Sequence, residues 1–227
     1  MANSTFPDIR QELALWADGY AYVAGVDEAG RGAWAGPVCA AAVILPAYLD
    51  TTPESLNGVK DSKLLSPRRR EALLPLIRAT AQGIGVGWAT PQEVDQLGVV
   101  EATRRAMARA VDGLNHPVEA LLLDYVQLPQ VELPQQAMPK ADLHCLSVAA
   151  ASVVAKVERD RLMAALGADF PGYGFARNKG YGTRGHREAL ARLGPSPIHR
   201  LSWRPLRELR ENSSTGDDAD ARRVPDE

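Results

Sequence analysis

The stretch that most constrains the fold is residues 22–45, YVAGVDEAGRGAWAGPVCAAAVIL, in which two apolar runs flank a glycine-rich segment. Both runs have the length and the valine and alanine content of buried strands, and the glycines between them predict a turn. The stretch therefore predicts a β-hairpin. Its first strand ends in Asp27 and Glu28. Because ionised side chains are costly inside a core, we expect these acids to mark a site.

Arg31 lies between Gly30 and Gly32 in the predicted turn. Glycine permits unusual backbone angles and a close approach of the backbone to a ligand, while arginine offers a planar fork for phosphate. At this point, a plain tight turn with a solvent-exposed arginine is the alternative.

The rest of the chain alternates between helical and strand patterns. Helical patterns cover residues 1–20, 66–81, 91–97, 99–114 and 140–166. Further apolar strands are predicted at residues 83–89 and 119–124. Ser66 and Pro67 are typical of a helix N-cap and first turn. A chain of this kind is expected to form an α/β domain.

Two more acids adjoin apolar elements. Asp124 ends the run EALLLD, and Asp142 lies at the start of a helix rich in small residues. An ordinary N-cap or a solvent-facing strand end would explain either acid alone. If these elements meet in one layer, both acids converge with Asp27 and Glu28, and close anions repel unless a cation neutralises them.

This donor set of oxygen atoms, with few Cys or His residues nearby, favours magnesium or manganese over zinc. Two such ions held about 3.5–4 Å apart can support an in-line displacement at phosphorus. Phosphodiester hydrolysis therefore fits the four acids together with the basic segment at residues 173–207.

The charge distribution indicates a nucleic-acid partner. The net charge is only −2, but residues 173–207 contain eight lysines or arginines against one acid, interleaved with aromatic residues. Basic charge attracts phosphate and flat rings stack on bases or sugars. A basic, solvent-exposed helical surface is the alternative. Residues 211–227 are acidic and lack apolar periodicity, so we expect a disordered tail.

The overall composition limits the class of protein. The chain of 227 residues is 45% hydrophobic and 24% charged, which is typical of a soluble globular protein. It shows neither a membrane-spanning run nor a secretory signal, so a cytoplasmic location is the default expectation. Cys39 and Cys145 are expected to be reduced core residues. We expect one catalytic domain over residues 1–210, with residues 173–210 as its basic helical part.

Several motifs follow one another along the chain: GVDEAGRGAWAGPV, DSK at residues 61–63, the strand ending at Asp124, Asp142 before AAASVVAKVERD, NKGYGTRGH and PIHRLSW. In this order they resemble the type 2 ribonuclease H family, that is, bacterial ribonuclease HII. The resemblance spans roughly residues 22–204. It implies a ribonuclease H-like fold, with a central mixed β-sheet flanked by helices and a C-terminal helical basic region.

The resemblance also implies an activity. The expected enzyme is a monomeric endoribonuclease that hydrolyses the RNA strand of RNA–DNA hybrids and nicks duplex DNA 5′ to an embedded ribonucleotide. It would use two Mg²⁺ or Mn²⁺ ions, leave 3′-hydroxyl and 5′-phosphate ends, and take part in ribonucleotide removal from DNA.

Matching positions imply residue roles. The expected catalytic metal ligands are Asp27, Glu28, Asp124 and Asp142, with Asp27 and Asp124 as the central pair. The expected substrate contacts are Gly30, Arg31, Gly32, Ser62, Lys63 and Tyr181. Tyr181 would pack against the sugar after the scissile site, where the 2′-hydroxyl distinguishes a ribonucleotide from DNA. Glycine is common in the family at the positions of Tyr125 and Ala141, and neither departure removes an expected ligand.

Two other functions fit the same residues less well. A catalytically silent nucleic-acid-binding module on this fold would be expected to have lost an acid, and all four are present. The carboxylates alone also allow a metal-dependent nuclease or phosphatase with a different substrate.

Overall fold

The computed structural model describes residues 6–208, so the tail expected at residues 211–227 lies outside the described residues. The strands are β1 (Val23–Ala29), β2 (Val38–Ile44), β3 (Gly83–Ala89), β4 (Ala120–Asp124) and β5 (Gln135–Met138). The α-helices are α1 (Arg10–Ala17), α2 (Pro67–Thr80), α3 (Pro91–Leu97), α4 (Val99–Asp112), α5 (Leu146–Asp169), α6 (Phe175–Asn178) and α7 (Arg184–Leu193). Short 3₁₀ turns lie at Glu54–Leu56, Ser62–Leu64 and Ala141–Leu143.

The five strands form one mixed sheet in the order β3-β2-β1-β4-β5. β1 and β2 are antiparallel and form the predicted hairpin, and β2 continues antiparallel to β3. β4 lies parallel to β1 on the other side, and β5 lies parallel to β4. The central mixed sheet predicted for this fold is confirmed.

Helices cover both faces of the sheet because the central strands are apolar on both sides. On one face, Ala41 and Val43 of β2 share a core with α2 and α5. On the other face, Ala40 and Ala42 share a core with α4. β2 is buried along its whole length, which explains its uninterrupted apolar sequence. A strand that is covered on both faces has no solvent-facing positions for polar residues.

Glycines let the helices lie directly on the strands. A Cβ atom at Gly25 would lie 2.4 Å from the main-chain carbon of Ser147 in α5. On the opposite face, a Cβ at Gly87 would lie 2.1 Å from the Ala106 oxygen in α4. Gly85 and Gly87 of β3 thus face α4, and no side chain fits between the two elements there.

Glu12 of α1 caps the start of α5. Its buried carboxylate accepts hydrogen bonds from the backbone N–H and the hydroxyl of Ser147, at 2.8 and 2.6 Å. An anion at a helix N-terminus is favoured by the unpaired N–H groups there. This contact sets the position of the α5 start, which follows directly on the segment that carries Asp142.

The structure corrects one predicted boundary. The helix predicted from residue 140 begins at Leu146, and Asp142 lies in the 3₁₀ turn Ala141–Leu143 before it. Asp142 is therefore not the N-cap, a position held by Cys145. Both cysteines are free and buried, as expected. Over residues 6–208, none of the helices has the length and apolar character needed to cross a membrane.

Candidate active site

The sheet brings the acids of β1 and β4 to the same edge. Val26 lies opposite Leu123 in the parallel pair, so Asp27 and Asp124 follow as neighbours where β4 ends, two residues before the end of β1. The next segment is tied to this edge, because the Ala141 N–H donates to Asp124 Oδ1 at 3.0 Å. The structure therefore places Asp142 beside the strand-borne acids.

Asp27 and Glu28 face opposite sides of the sheet edge, as consecutive strand residues do. Asp27 is paired with Ala41, which packs on the α5 face, and Glu28 is paired with Ala40, which packs on the α4 face. The candidate site thus extends over the edge of the sheet, from the α5 side to the α4 side.

These carboxylates are buried without enough hydrogen-bond donors. Asp27 is 3% exposed, and its Oδ1 accepts the Glu28 N–H at 2.8 Å. Asp27 Oδ2 and Glu28 Oε2 are buried and have no hydrogen-bond partner. Such orphaned oxygens carry a desolvation cost that a cation would offset.

The pKa values show the same electrostatic strain. Burial, then Glu28, and more weakly Asp124, raise the pKa of Asp27 well above its ordinary value. Burial also raises the pKa of Glu28, against the opposing effect of Arg31. Burial, then Asp61 and Asp124, raise the pKa of Asp142 to about 6. Each group interacts with another acid, so the carboxylates form one electrostatic cluster.

The donor set fits a hard divalent cation, since it consists of carboxylate oxygens with unsatisfied lone pairs. Within residues 6–208, however, no group of three or more acidic, histidine or cysteine side chains lies in a ready-made metal-binding arrangement. The features that fit a cation are instead the orphaned oxygens of Asp27 and Glu28 and the repulsion between the acids, both of which a bound cation would relieve.

The DSK segment places the positively charged ammonium group of Lys63 beside this cluster of acids. Burial lowers the pKa of Lys63, but Asp61 and the acids of the site, including Asp27, together raise it above its ordinary value. The Lys63 ammonium lies 3.9 Å from Asp61 Oδ1. Ser62, in contrast, is buried, and its hydroxyl accepts a hydrogen bond from Ser152 of α5 at 2.9 Å. Ser62 thus ties the segment to the helix.

Two buried arginines hold the glycine-rich turn by its carbonyl groups. Arg200 is fully buried and donates to the Gly30, Arg31 and Gly36 oxygens at 2.8, 2.9 and 3.0 Å. Arg159, also fully buried, donates to the Ala35 and Pro37 oxygens at 3.1 and 2.8 Å.

Gly30 is required where Arg159 packs against the turn. Its φ is +87°, and a Cβ there would lie 1.8 Å from Arg159 Nε. On the outer side of the turn, Arg31 Nη1 lies 3.6 Å from Glu28 Oε1, so the turn and the acids are in electrostatic contact.

Tyr181 lies beside the same turn. The N–H groups of Trp34 and Ala35 donate to the Gly180 oxygen at 2.8 and 3.2 Å, which joins the turn to the Tyr181 segment. The cationic groups of Lys156 and Arg159 lie over the Tyr181 ring, 5.2 and 5.4 Å from its centre.

A pair of buried histidines holds the Tyr181 main chain. The Ser196 N–H donates to His199 Nδ1 at 2.8 Å, which assigns the His199 proton to Nε2. That proton is donated to His186 Nε2 at 3.0 Å, so His186 carries its own proton on Nδ1 and donates it to the Tyr181 oxygen at 3.0 Å. This chain of hydrogen bonds, the histidine relay, requires the rings of His186 and His199 to be neutral. Burial, and for His199 also His186, lowers both pKa values, that of His199 to about 4.

Comparison with known proteins identifies the family. The family model described as Ribonuclease HII matches residues 24–205. The chain belongs to the ribonuclease HII family. It is 50% identical over 206 residues to a ribonuclease HII of Roseiflexus castenholzii, covering 91% of this chain and 92% of that protein.

Solved structures agree with the fold. The ribonuclease H2 of Pyrococcus horikoshii OT3 superposes with a TM-score of 0.70 at 29% identity, covering 84% of this chain and 97% of that one. Bst-RNase HIII, solved in complex with Mn²⁺, has a TM-score of 0.65 at 20% identity, covering 86% and 71%. The ribonuclease H-like fold predicted from the sequence is thereby confirmed.

As a ribonuclease HII family member, the chain is a ribonuclease H, a hydrolase that acts on nucleic acid. Ribonucleases H act on RNA–DNA hybrids and depend on divalent metal ions. The enzyme class expected from the motifs is therefore confirmed.

Sequence reasoning missed the residues that support this site from inside. They are Asp61, Arg159, His186, His199 and Arg200. The sequence places Arg200 in the basic segment suited to nucleic acid, but the structure shows that it is buried and bonded to the turn. A buried arginine and an exposed one look alike in sequence. For Asp61, the DSK motif that also contains Lys63 is a usable signal.

Proposed function

We propose that this ribonuclease hydrolyses the RNA strand of RNA–DNA hybrids and nicks duplex DNA on the 5′ side of an embedded ribonucleotide. The products would carry 3′-hydroxyl and 5′-phosphate ends. The single observation that carries the proposal is the buried cluster of acids at the carboxyl edge of β1 and β4, with orphaned oxygens on Asp27 and Glu28.

In this proposal, Asp27, Glu28, Asp124 and Asp142 would hold two Mg²⁺ or Mn²⁺ ions, with Asp27 and Asp124 as the central ligands. When bound, the ions supply the Lewis acidity that an in-line displacement at phosphorus requires. The raised pKa values of Asp27, Glu28 and Asp142 support the assignment, because each marks a buried carboxylate whose negative charge is not fully compensated by its surroundings.

Lys63 contributes a further positive charge beside the acids. Its raised pKa keeps the ammonium charged at neutral pH, and its side chain is 74% exposed. It can therefore pair with a phosphate oxygen of the substrate. Ser62 holds the DSK segment against α5 through its hydroxyl, so its proposed contribution to substrate binding is made through the placement of Lys63.

Selectivity for a ribonucleotide is assigned to the turn and to Tyr181. The 2′-hydroxyl is the group that marks a ribonucleotide in DNA, so the site must place hydrogen-bonding groups and a packing surface around one sugar. Gly30, Arg31 and Gly32 offer a backbone without bulky side chains at the glycines, held rigid by Arg200. Tyr181 offers a ring held from behind by Arg159. Preorganisation of this kind favours discrimination between closely similar substrates.

The substrate assignment can be tested with four labelled duplexes. They are all DNA, all RNA, an RNA–DNA hybrid, and DNA with one ribonucleotide, each incubated with Mg²⁺ and with chelator. We expect metal-dependent cleavage of the last two, with a nick 5′ to the single ribonucleotide. Cleavage of the all-DNA duplex, or cleavage in chelator, would contradict the proposal.

The ligand assignment can be tested with Asp27→Asn. Removing one electrostatic stabiliser of a transition state costs at least about 10²–10³ in turnover, so we expect a loss of about 10³ or more with substrate binding still measurable. Asp18→Asn is the matched control, since Asp18 is a solvent-exposed acid at the end of α1. Near-normal turnover by Asp27→Asn would overturn the assignment.

A further inference from the structure

A cavity of about 630 Å³ lies on the α4 side of the candidate active site. Its wall includes Arg31 of the glycine-rich turn, Val100 and Arg104 of α4, and Tyr125 directly after β4. Arg31 lies 3.6 Å from Glu28 and Tyr125 follows Asp124, so the cavity adjoins the acids on two sides. Its volume is within the range of pockets that hold small organic ligands.

Tyr125 is placed in this wall at a conformational cost. Its φ is +64°, in the left-handed region that residues with a Cβ atom rarely adopt. The side chain is nevertheless 69% exposed. A ring so exposed removes little apolar surface from water, so burial within this chain does not offset the strain. Strained backbone of this kind is concentrated at functional sites.

Two guanidinium groups line the same cavity. Arg31 and Arg104 are 37% and 33% exposed. Each has an acidic neighbour at 3.6 Å, Glu28 and Glu101 respectively, which is longer than a strong hydrogen bond. The Nε of Arg104 donates to the Gln127 oxygen at 3.2 Å, which fixes the side chain beside the cavity. Guanidinium groups suit phosphate, and an exposed ring suits the flat face of a base or the edge of a sugar.

We propose that this cavity binds a nucleotide of the substrate duplex next to the scissile position. Tyr125 packs on its base or sugar, and Arg31 and Arg104 pair with its phosphate. The inference rests on the proposed function, which puts the scissile phosphate at the acids that adjoin this cavity. Such contacts favour binding without reading base sequence.

Tyr125→Gly is a clean test, because glycine is favoured at φ +64° and the variant should melt at or above the wild-type temperature. Loss of one stacked ring typically weakens binding by about 5-fold to more than 100-fold. We expect the KM for DNA with one ribonucleotide to rise at least about 5-fold, with a smaller effect on kcat. Tyr125→Phe keeps the ring and should recover most of the affinity. Tyr48→Ala removes a tyrosine that is 84% exposed elsewhere and is the matched control.

Binding of the same duplex in chelator separates this inference from the proposed function. The dissociation constant should rise for Tyr125→Gly, and for Arg104→Gln with a shallower dependence on salt, even if the wild type cleaved a different substrate. A Tyr125→Gly variant with wild-type KM and dissociation constant would overturn the inference. So would a Tyr125→Phe variant as weak as Tyr125→Gly, or a wild type that does not bind the duplex.

Discussion

The buried histidine relay makes the stability of this protein depend on pH in a calculable way. Burial, and then His186, lower the pKa of His199 from 6.5 to about 4. Between these values the unfolded chain binds a proton that the folded chain does not. The stabilisation is therefore complete above pH 6.5 and is lost as the pH falls toward 4. Lowering the pH from 7 to 5 should cost about 2 kcal/mol from this side chain alone.

The assay is urea unfolding of the wild type and of His199→Gln at pH 7 and pH 5. The acids of the site have raised pKa values and change stability in the opposite direction, but they do so in both proteins and cancel in the difference. Glutamine can still donate to His186 and does not titrate. We expect the stability advantage of the wild type over the variant to shrink by about 2 kcal/mol between the two pH values. If the stability difference between the wild type and His199→Gln is the same at pH 7 and pH 5, the inference that His199 is buried in its neutral form is refuted.

Two further predictions concern packing and the turn. Gly87→Ala places a Cβ 2.1 Å from a main-chain oxygen of α4 and should cost about 2–3 kcal/mol in urea unfolding, whereas Gly185→Ala, which meets nothing within 4 Å, should be neutral or slightly stabilising. Arg200→Lys keeps a long basic side chain but loses the planar fork that bonds three carbonyls. It should raise the KM for DNA with one ribonucleotide and lower stability by about 2 kcal/mol; unchanged values for both would refute its role in holding the turn.

Sequence predicted those parts of the site that follow from the direction of the strands. Asp27 and Asp124 each end an apolar run, and parallel strands bring such ends to one edge. The turn at Gly30 and Gly32 could be predicted because glycines between two strands are typical of a turn. These inferences need only local patterns and one rule of sheet topology.

The supporting residues could not be predicted because their role depends on distant parts of the chain. Whether an arginine of the basic segment is buried, as Arg200 is, depends on how that segment packs on the turn. The same holds for His199, whose neutral state follows from burial rather than from its neighbours in sequence. Asp142 shows a smaller limit: the sequence pattern places it in the first turn of the helix, because the separate 3₁₀ turn before α5 cannot be distinguished from that turn in the sequence.

The hydrogen bond from Arg200 to Gly30 joins residues 170 positions apart. The chain leaves the ribosome from its N-terminal end. Asp27 and Asp124 are therefore made well before Arg200. The turn lacks the hydrogen-bond donors of Arg200 until residue 200 has been made. A chain that stops short of residue 200 would contain the acids but lack the donors that hold the turn, so the proposed selectivity for ribonucleotides depends on a residue made long after the turn itself.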